Sequence, residues 1–237
     1  MQVSSSKPKF LCLHGFCQSP LIFDKRIKNV TKNFSEKYGC EFIFPNAPFL
    51  LSKEDVPEEE KTFGWLNFEE EDKLSNSEKI KKYFENKFME YKGFTTSQKY
   101  LETFLQNYEN IVSIIAFSQG ALIATLLLIQ AEEKKLNCDL LKNLKCCILI
   151  SGLGSPIPNN PELEYAVEYA EGRRQISIPV LIVLGKNDEY IPPKLTQSLM
   201  KYYKEVEVHE HEGKHYVPSK KEDMEVYYKF LNKYISK

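Results

Sequence analysis

Three short stretches, far apart in the chain, hold residue types that together suit nucleophilic catalysis. They are Ala116-Phe117-Ser118-Gln119-Gly120, Lys186-Asn187-Asp188-Glu189-Tyr190-Ile191-Pro192, and Glu212-Gly213-Lys214-His215-Tyr216-Val217-Pro218. A serine attacks a carbonyl at neutral pH only when a base takes its proton, a carboxylate fixes the tautomer of that base, and N–H donors receive the oxyanion. Ser118, His215 and Asp188 are the candidates for the first three roles. The backbone N–H groups of Phe16, in His14-Gly15-Phe16, and of Gln119 are candidates for the fourth.

These residues need elements that bring them together. Residues 111–117 (IVSIIAF) are β-branched and nearly continuously apolar, as a central parallel strand covered on both faces would be. Residues 121–131 are apolar almost all round, which predicts an interior helix. A strand feeding directly into a helix at x-Ser-x-Gly is the nucleophile-elbow pattern, in which a sharp turn lifts the hydroxyl clear of the sheet. A serine that merely caps the following helix fits the same residues. A membrane span over 111–129 does not, because Ser113, Ser118, Gln119, Gly120 and Thr125 interrupt it.

Six apolar runs alternate with helix-compatible sequence: FLCL from residue 10, EFIF from 41, the 111–117 run, CCILI from 146, VLIVL from 180, and 206–209. Such alternation predicts an α/β fold with a mostly parallel six-stranded sheet, helices on both faces and an insertion after the second strand. Residues 21–38 read as a helix stopped by Gly39. Asp188, His215 and Phe16 each fall just past a strand, at the edge where open α/β sheets hold ligands. The chain order Ser, Asp, His is that of α/β-hydrolases.

Each assignment has a competitor. Glu189 is an adjacent carboxylate, and His209 and His211 are other histidines near the last strand. Ser151 also follows a strand, but without a helix directly behind it. His211-Glu212-Gly213-Lys214-His215 spells H-E-x-x-H, whose histidines ligate zinc only when a helix sets them on one face. Here an alternating strand precedes the motif, Gly213 sits inside it and Pro218 closes it, so neither a metal nor a cofactor is expected.

With 237 residues the chain suits one α/β domain, and a formal net charge of −1 points to no nucleic-acid or membrane-surface partner. Six cysteines without CxxC spacing read as reduced thiols, and no secretory signal is visible, so a cytoplasmic protein is expected. The insertion, about 49–91, is acidic first and basic after, in keeping with solvated faces. Inside it Phe63, Trp65 and Phe68 need cover. They are expected either to line an apolar substrate pocket as part of a lid or to form a satellite core under a long loop.

Taken together, LHGF at 13–16, AFSQGA at 116–121, ISG at 150–152, GKNDEYIP at 185–192 and EGKHYVP at 212–218 resemble the fungal-type serine hydrolase family. That group of small α/β-hydrolases includes the ovarian-cancer-associated homologue. Its GFSQG, D-x-x-V/I-P and G-H-x-V/I-P patterns fall on Ser118, Asp188 and His215, with Ala116 and Lys214 where the family commonly has glycine. Phe16 and Gln119 match its oxyanion-hole positions. The resemblance implies a carboxyl-ester hydrolase working through an acyl-enzyme on small-molecule or lipid acyl esters. An acyl-protein or acyl-CoA thioesterase is the alternative. A binding module that has lost activity is a third reading, since fold alone does not fix function.

Overall fold

Strands that are apolar on both faces need helices on both faces, and the computed structural model of the chain, which describes residues 6–53, 55–66, 92–154 and 161–235, has that arrangement. In chain order the elements are β1 (Lys9–Leu13), α1 (Pro20–Tyr38), β2 (Glu41–Ile43), β3 (Phe49–Leu50), β4 (Phe63–Gly64), α2 (Phe94–Leu105), β5 (Ile111–Phe117), α3 (Gln119–Glu132), β6 (Cys146–Ile150), α4 (Val167–Ala170), β7 (Val180–Gly185), α5 (Pro193–Gln197), β8 (Val206–His211) and α6 (Lys221–Tyr234). Six of the described strands form one parallel sheet in the order β2-β1-β5-β6-β7-β8. The sheet and its flanking helices form the α/β fold with a parallel six-stranded sheet that the alternation of runs predicts. The last strand runs to His211 rather than stopping at 209, because its pairing with β7 continues to Gly185↔His211.

Alternate residues of the central strands enter two cores. Phe10, Cys12, Ile115, Phe117 and Ile148 face α1 and α6, whereas Leu11, Leu13, Ile114, Ala116 and Leu149 face α2 and α3. α3 is buried continuously from Gln119 to Gln130, which explains its lack of a polar face. α1 shows how local sequence sets an element. Ser19 accepts a hydrogen bond from the Ile22 N–H at 3.3 Å, Pro20 opens the first turn, and Gly39 closes the helix in the left-handed region at φ 61°. Phe23, Ile27, Val30 and Phe34 lie on its buried stripe; Phe34→Ala there should cost about 3–5 kcal/mol.

The insertion begins with the antiparallel pair β3 and β4, after which Trp65 and Leu66 enter the core that also holds Leu13 and Ala116. Trp65 has no exposed surface. Its ring therefore belongs to the main core, which corrects both the satellite-core and the lid expectations for this residue. Phe63 is partly buried against the same core, and Phe68, with the rest of 67–91, lies outside the described residues. All six cysteines are free thiols, and four of them are buried. No helix among the described residues is long and apolar enough to cross a membrane.

Candidate active site

At the C-terminal end of β5 the backbone turns sharply. Ser118 adopts φ 54° and ψ −119°, a conformation that a residue with a Cβ rarely holds, and α3 starts at the next residue. The turn is anchored by the Ser118 N–H, which donates to the Ile150 carbonyl at 2.9 Å. Two glycines let neighbouring backbone close around it. A methyl group at Gly120 would overlap the carbonyl oxygens of Leu13 and His14, so only glycine lets the first turn of α3 cross the end of β1 this closely. A Cβ at Gly15 would lie 3.2 Å from that of Ser118 and 3.0 Å from the Phe117 ring. The loop after β1 thus lies directly against the serine.

Ser118, His215 and Asp188, separated by up to 97 positions, meet here. His215 Nε2 is 3.1 Å from Ser118 Oγ, and its Nδ1 is 2.7 Å from Asp188 Oδ2. An ionised carboxylate only accepts hydrogen bonds, so Nδ1 carries the ring proton and the Nε2 lone pair faces the serine hydroxyl. That tautomer is the one a general base needs. The imidazole contacts the rings of Phe117, with centroids 4.7 Å apart, and Tyr190, at 5.6 Å.

The carboxylate is well held. Asp188 Oδ1 accepts from the N–H groups of Tyr190 at 3.0 Å and Ile191 at 2.9 Å. Burial pushes the Asp188 carboxyl up, but the hydrogen bond and charge of His215, the Ile191 N–H and the nearby Ser151 hydroxyl together bring it below the ordinary carboxylate value.

The competing residues are engaged elsewhere. Glu189 points to solvent and pairs with Lys214 at 3.0 Å. His209 Nε2 lies 2.8 Å from Asp223 Oδ1, next to the start of α6. His211 Nδ1 accepts from the Gly213 N–H at 3.2 Å, and burial lowers the pKa of this ring. His211 ends a strand and His215 sits in a loop, so the two rings do not share a helical face.

Phe16 lies in the loop that follows β1, one residue after the Gly15 position that packs against Ser118, and Gln119 follows Ser118 directly and opens α3. Buried side chains brace both. The Gly15 N–H donates to Gln18 Oε1 at 3.0 Å, and His14 Nε2 accepts from the Ala47 N–H at 3.1 Å while Nδ1–H donates to the Gly15 carbonyl at 2.8 Å. Burial lowers the pKa of His14 from 6.5 to about 4, keeping it neutral. Trp65 joins the two sides: its indole N–H donates to the His14 carbonyl at 2.9 Å, its backbone N–H to Gln119 Oε1 at 2.7 Å, and its carbonyl accepts from the Ser97 hydroxyl. Residue types and spacing gave no sign of His14, Gln18 and Ser97 as braces, because what identifies them is a partner brought close by folding.

A parallel α/β sheet carrying a strained serine at a strand-to-helix turn, with a histidine and a carboxylate in hydrogen-bonded sequence behind it, defines a hydrolase of the α/β class. The chain belongs to the family described as serine hydrolase (FSH1), whose model matches residues 1–227. It is similar to "Esterase CG5412" of Drosophila melanogaster, 28% identical over 96% of this chain and 74% of that one. It is also similar to "Family of serine hydrolases 3" of Saccharomyces cerevisiae, 29% identical over 92% and 80%, and to "Esterase OVCA2" of Danio rerio, 27% identical over 95% and 97%. Among solved structures, esterase PE8 shares the fold with a TM-score of 0.61 at 18% identity, covering 96% of this chain and 92% of that one. Zea mays acyl-protein thioesterase 2 shares it with a TM-score of 0.56 at 19% identity, covering 96% and 93%.

Proposed function

We propose that this serine hydrolase cleaves carboxyl esters of small molecules or lipids through an acyl-enzyme, acting as a single α/β domain in the cytoplasm. In this reading Ser118 Oγ attacks the ester carbonyl while His215 Nε2 takes its proton, and Asp188 holds and stabilises the resulting imidazolium. The N–H groups of Phe16 and Gln119 receive the oxyanion. His215 then gives its proton to the leaving alkoxide, and a water activated by the same nitrogen releases the acid. The observation that carries the proposal is the unbroken chain from Ser118 through His215 to Asp188, with the imidazole in the tautomer that accepts the serine proton. The esterase names of relatives at 27–28% identity support the choice of ester over other acyl groups.

Turnover of a chain-length series of p-nitrophenyl esters, measured beside acyl-CoA thioesters, tests the reading. Esters should turn over with a burst of one p-nitrophenol per protein, and Ser118→Ala should lower kcat by roughly 10³ to 10⁶. Ester turnover unchanged in purified Ser118→Ala would overturn the mechanism. Faster turnover of thioesters than of esters would move the assignment to a thioesterase.

A further inference from the structure

The segment from Phe63 to Trp65 touches both sides of the serine turn, and it does so through hydrogen bonds rather than packing alone. The Phe63 N–H donates to the Gln18 carbonyl at 2.7 Å, and Gly64 lies against the Phe16 ring. Trp65 then places one donor on each side: its indole N–H on the His14 carbonyl, two residues before Phe16, and its backbone N–H on the side chain of Gln119. Among the described residues the Gln119 side chain is oriented by that bond, since its Nε2 has no partner. The far side of Trp65 is tied to α2 through the Ser97 hydroxyl on its carbonyl. All four groups are buried, so water does not substitute for a lost partner.

We propose that Trp65 is a positioning residue for the oxyanion hole, setting the separation of the Phe16 and Gln119 N–H groups by bonding to the loop that carries one and the side chain of the other. The inference rests on the reading of Ser118 as the nucleophile. An oxyanion hole acts only if its donors stand at hydrogen-bond distance from where the oxygen will be in the transition state, and small displacements there act on the chemical step more than on ground-state binding. The β1 loop and the start of α3 belong to different elements, and Trp65 hydrogen-bonds to both. Its enclosed ring offers no face to a substrate, which separates this role from that of a pocket wall.

The test removes the bond and reads the chemical step. Trp65→Phe keeps an aromatic ring and deletes the indole donor, and Gln119→Met deletes the acceptor of the Trp65 N–H. Since the chain holds a single tryptophan, benzothienylalanine incorporated in its place exchanges N–H for sulfur at that position alone, a change small enough to preserve folding where Trp65→Phe does not. With p-nitrophenyl butyrate each variant should lose roughly 10- to 100-fold in kcat, less than loss of a whole oxyanion donor, with KM within about twofold. Affinity for a trifluoromethyl ketone, which forms a tetrahedral adduct on the serine, should fall in parallel with kcat/KM. A rise in KM with kcat unchanged would make Trp65 a substrate contact and overturn the proposal. A lower Tm with unchanged kcat and unchanged ketone affinity would leave it a core residue only and overturn it as well. Failure of the underlying reading is distinguishable, because the unsubstituted protein would then form no adduct on Ser118.

Discussion

The two sides of the site are held together by different means. The β7 and β8 loops, which carry Asp188 and His215, are joined mainly by backbone. The Lys186 N–H donates to the His211 carbonyl at 2.8 Å, the Asn187 N–H to Gly213 at 3.0 Å, and the Asp188 N–H back to Gly185 at 3.1 Å. The β1 loop and the start of α3 are instead held by buried side chains of His14, Gln18, Trp65 and Gln119. Backbone bonds survive most substitutions, whereas a buried side-chain network loses a partner with each one and leaves the other unsatisfied. The acid–base side should therefore tolerate change except at the reacting groups, and the oxyanion side should be fragile well beyond them.

The largest effect falls on the reacting groups of the tolerant side. Asp188→Asn should lower kcat by about 10³ to 10⁴ with the fold intact, as the histidine loses the carboxylate that fixes its tautomer. Glu189→Gln, one residue away but in solvent, should stay near wild type. Steady-state kinetics on both variants decides the point, and the reverse ranking would make Glu189 the acid.

Acid should expose the fragility of the other side. His14 is buried and neutral with a pKa near 4 in place of 6.5, so between these values the unfolded chain binds a proton that the folded one refuses. Stability is then fully present above pH 6.5 and falls as pH drops toward 4, by about 3 kcal/mol for this group. Denaturant titrations across that range should show the loss, and His14→Gln should flatten the slope by a similar amount. An equal slope in both proteins would assign the acid sensitivity to other groups.

The smallest and sharpest contrast compares one bond on each side. Ser97→Ala removes the hydroxyl donor to the buried Trp65 carbonyl and should cost about 1–2 kcal/mol. Asn187→Ala removes an exposed bond from Nδ2 to the Glu212 carbonyl at 2.7 Å, but keeps the backbone bonds around it, and should stay within about 0.5 kcal/mol. Equal losses of Tm in the two variants would break the comparison.

The same contrast explains what could be read from sequence. The sheet was legible because its central strands are apolar on both faces, and the serine turn because strand, turn and interior helix are contiguous from 111 to 131. Asp188 and His215 were legible because backbone-held loops keep their residues in short, local patterns at strand ends. Trp65 was visible as an aromatic needing cover, but not as a brace. Its partners His14, Ser97 and Gln119 lie 51, 32 and 54 positions away, and nothing in the residue types announces such bonds. For the same reason the pocket-wall expectation for Trp65 was wrong: large apolar side chains in an irregular segment fit a lid and a core equally well, and only burial separates them.

The central claim is that Ser118 is the activated nucleophile, and covalent labelling tests it most directly. A fluorophosphonate incubated with the folded protein should add one mass increment, located by peptide mapping on Ser118, and the adduct should be absent from Ser118→Ala and strongly slowed in His215→Ala. Labelling at another residue, or none on folded protein that still hydrolyses esters, would contradict the account.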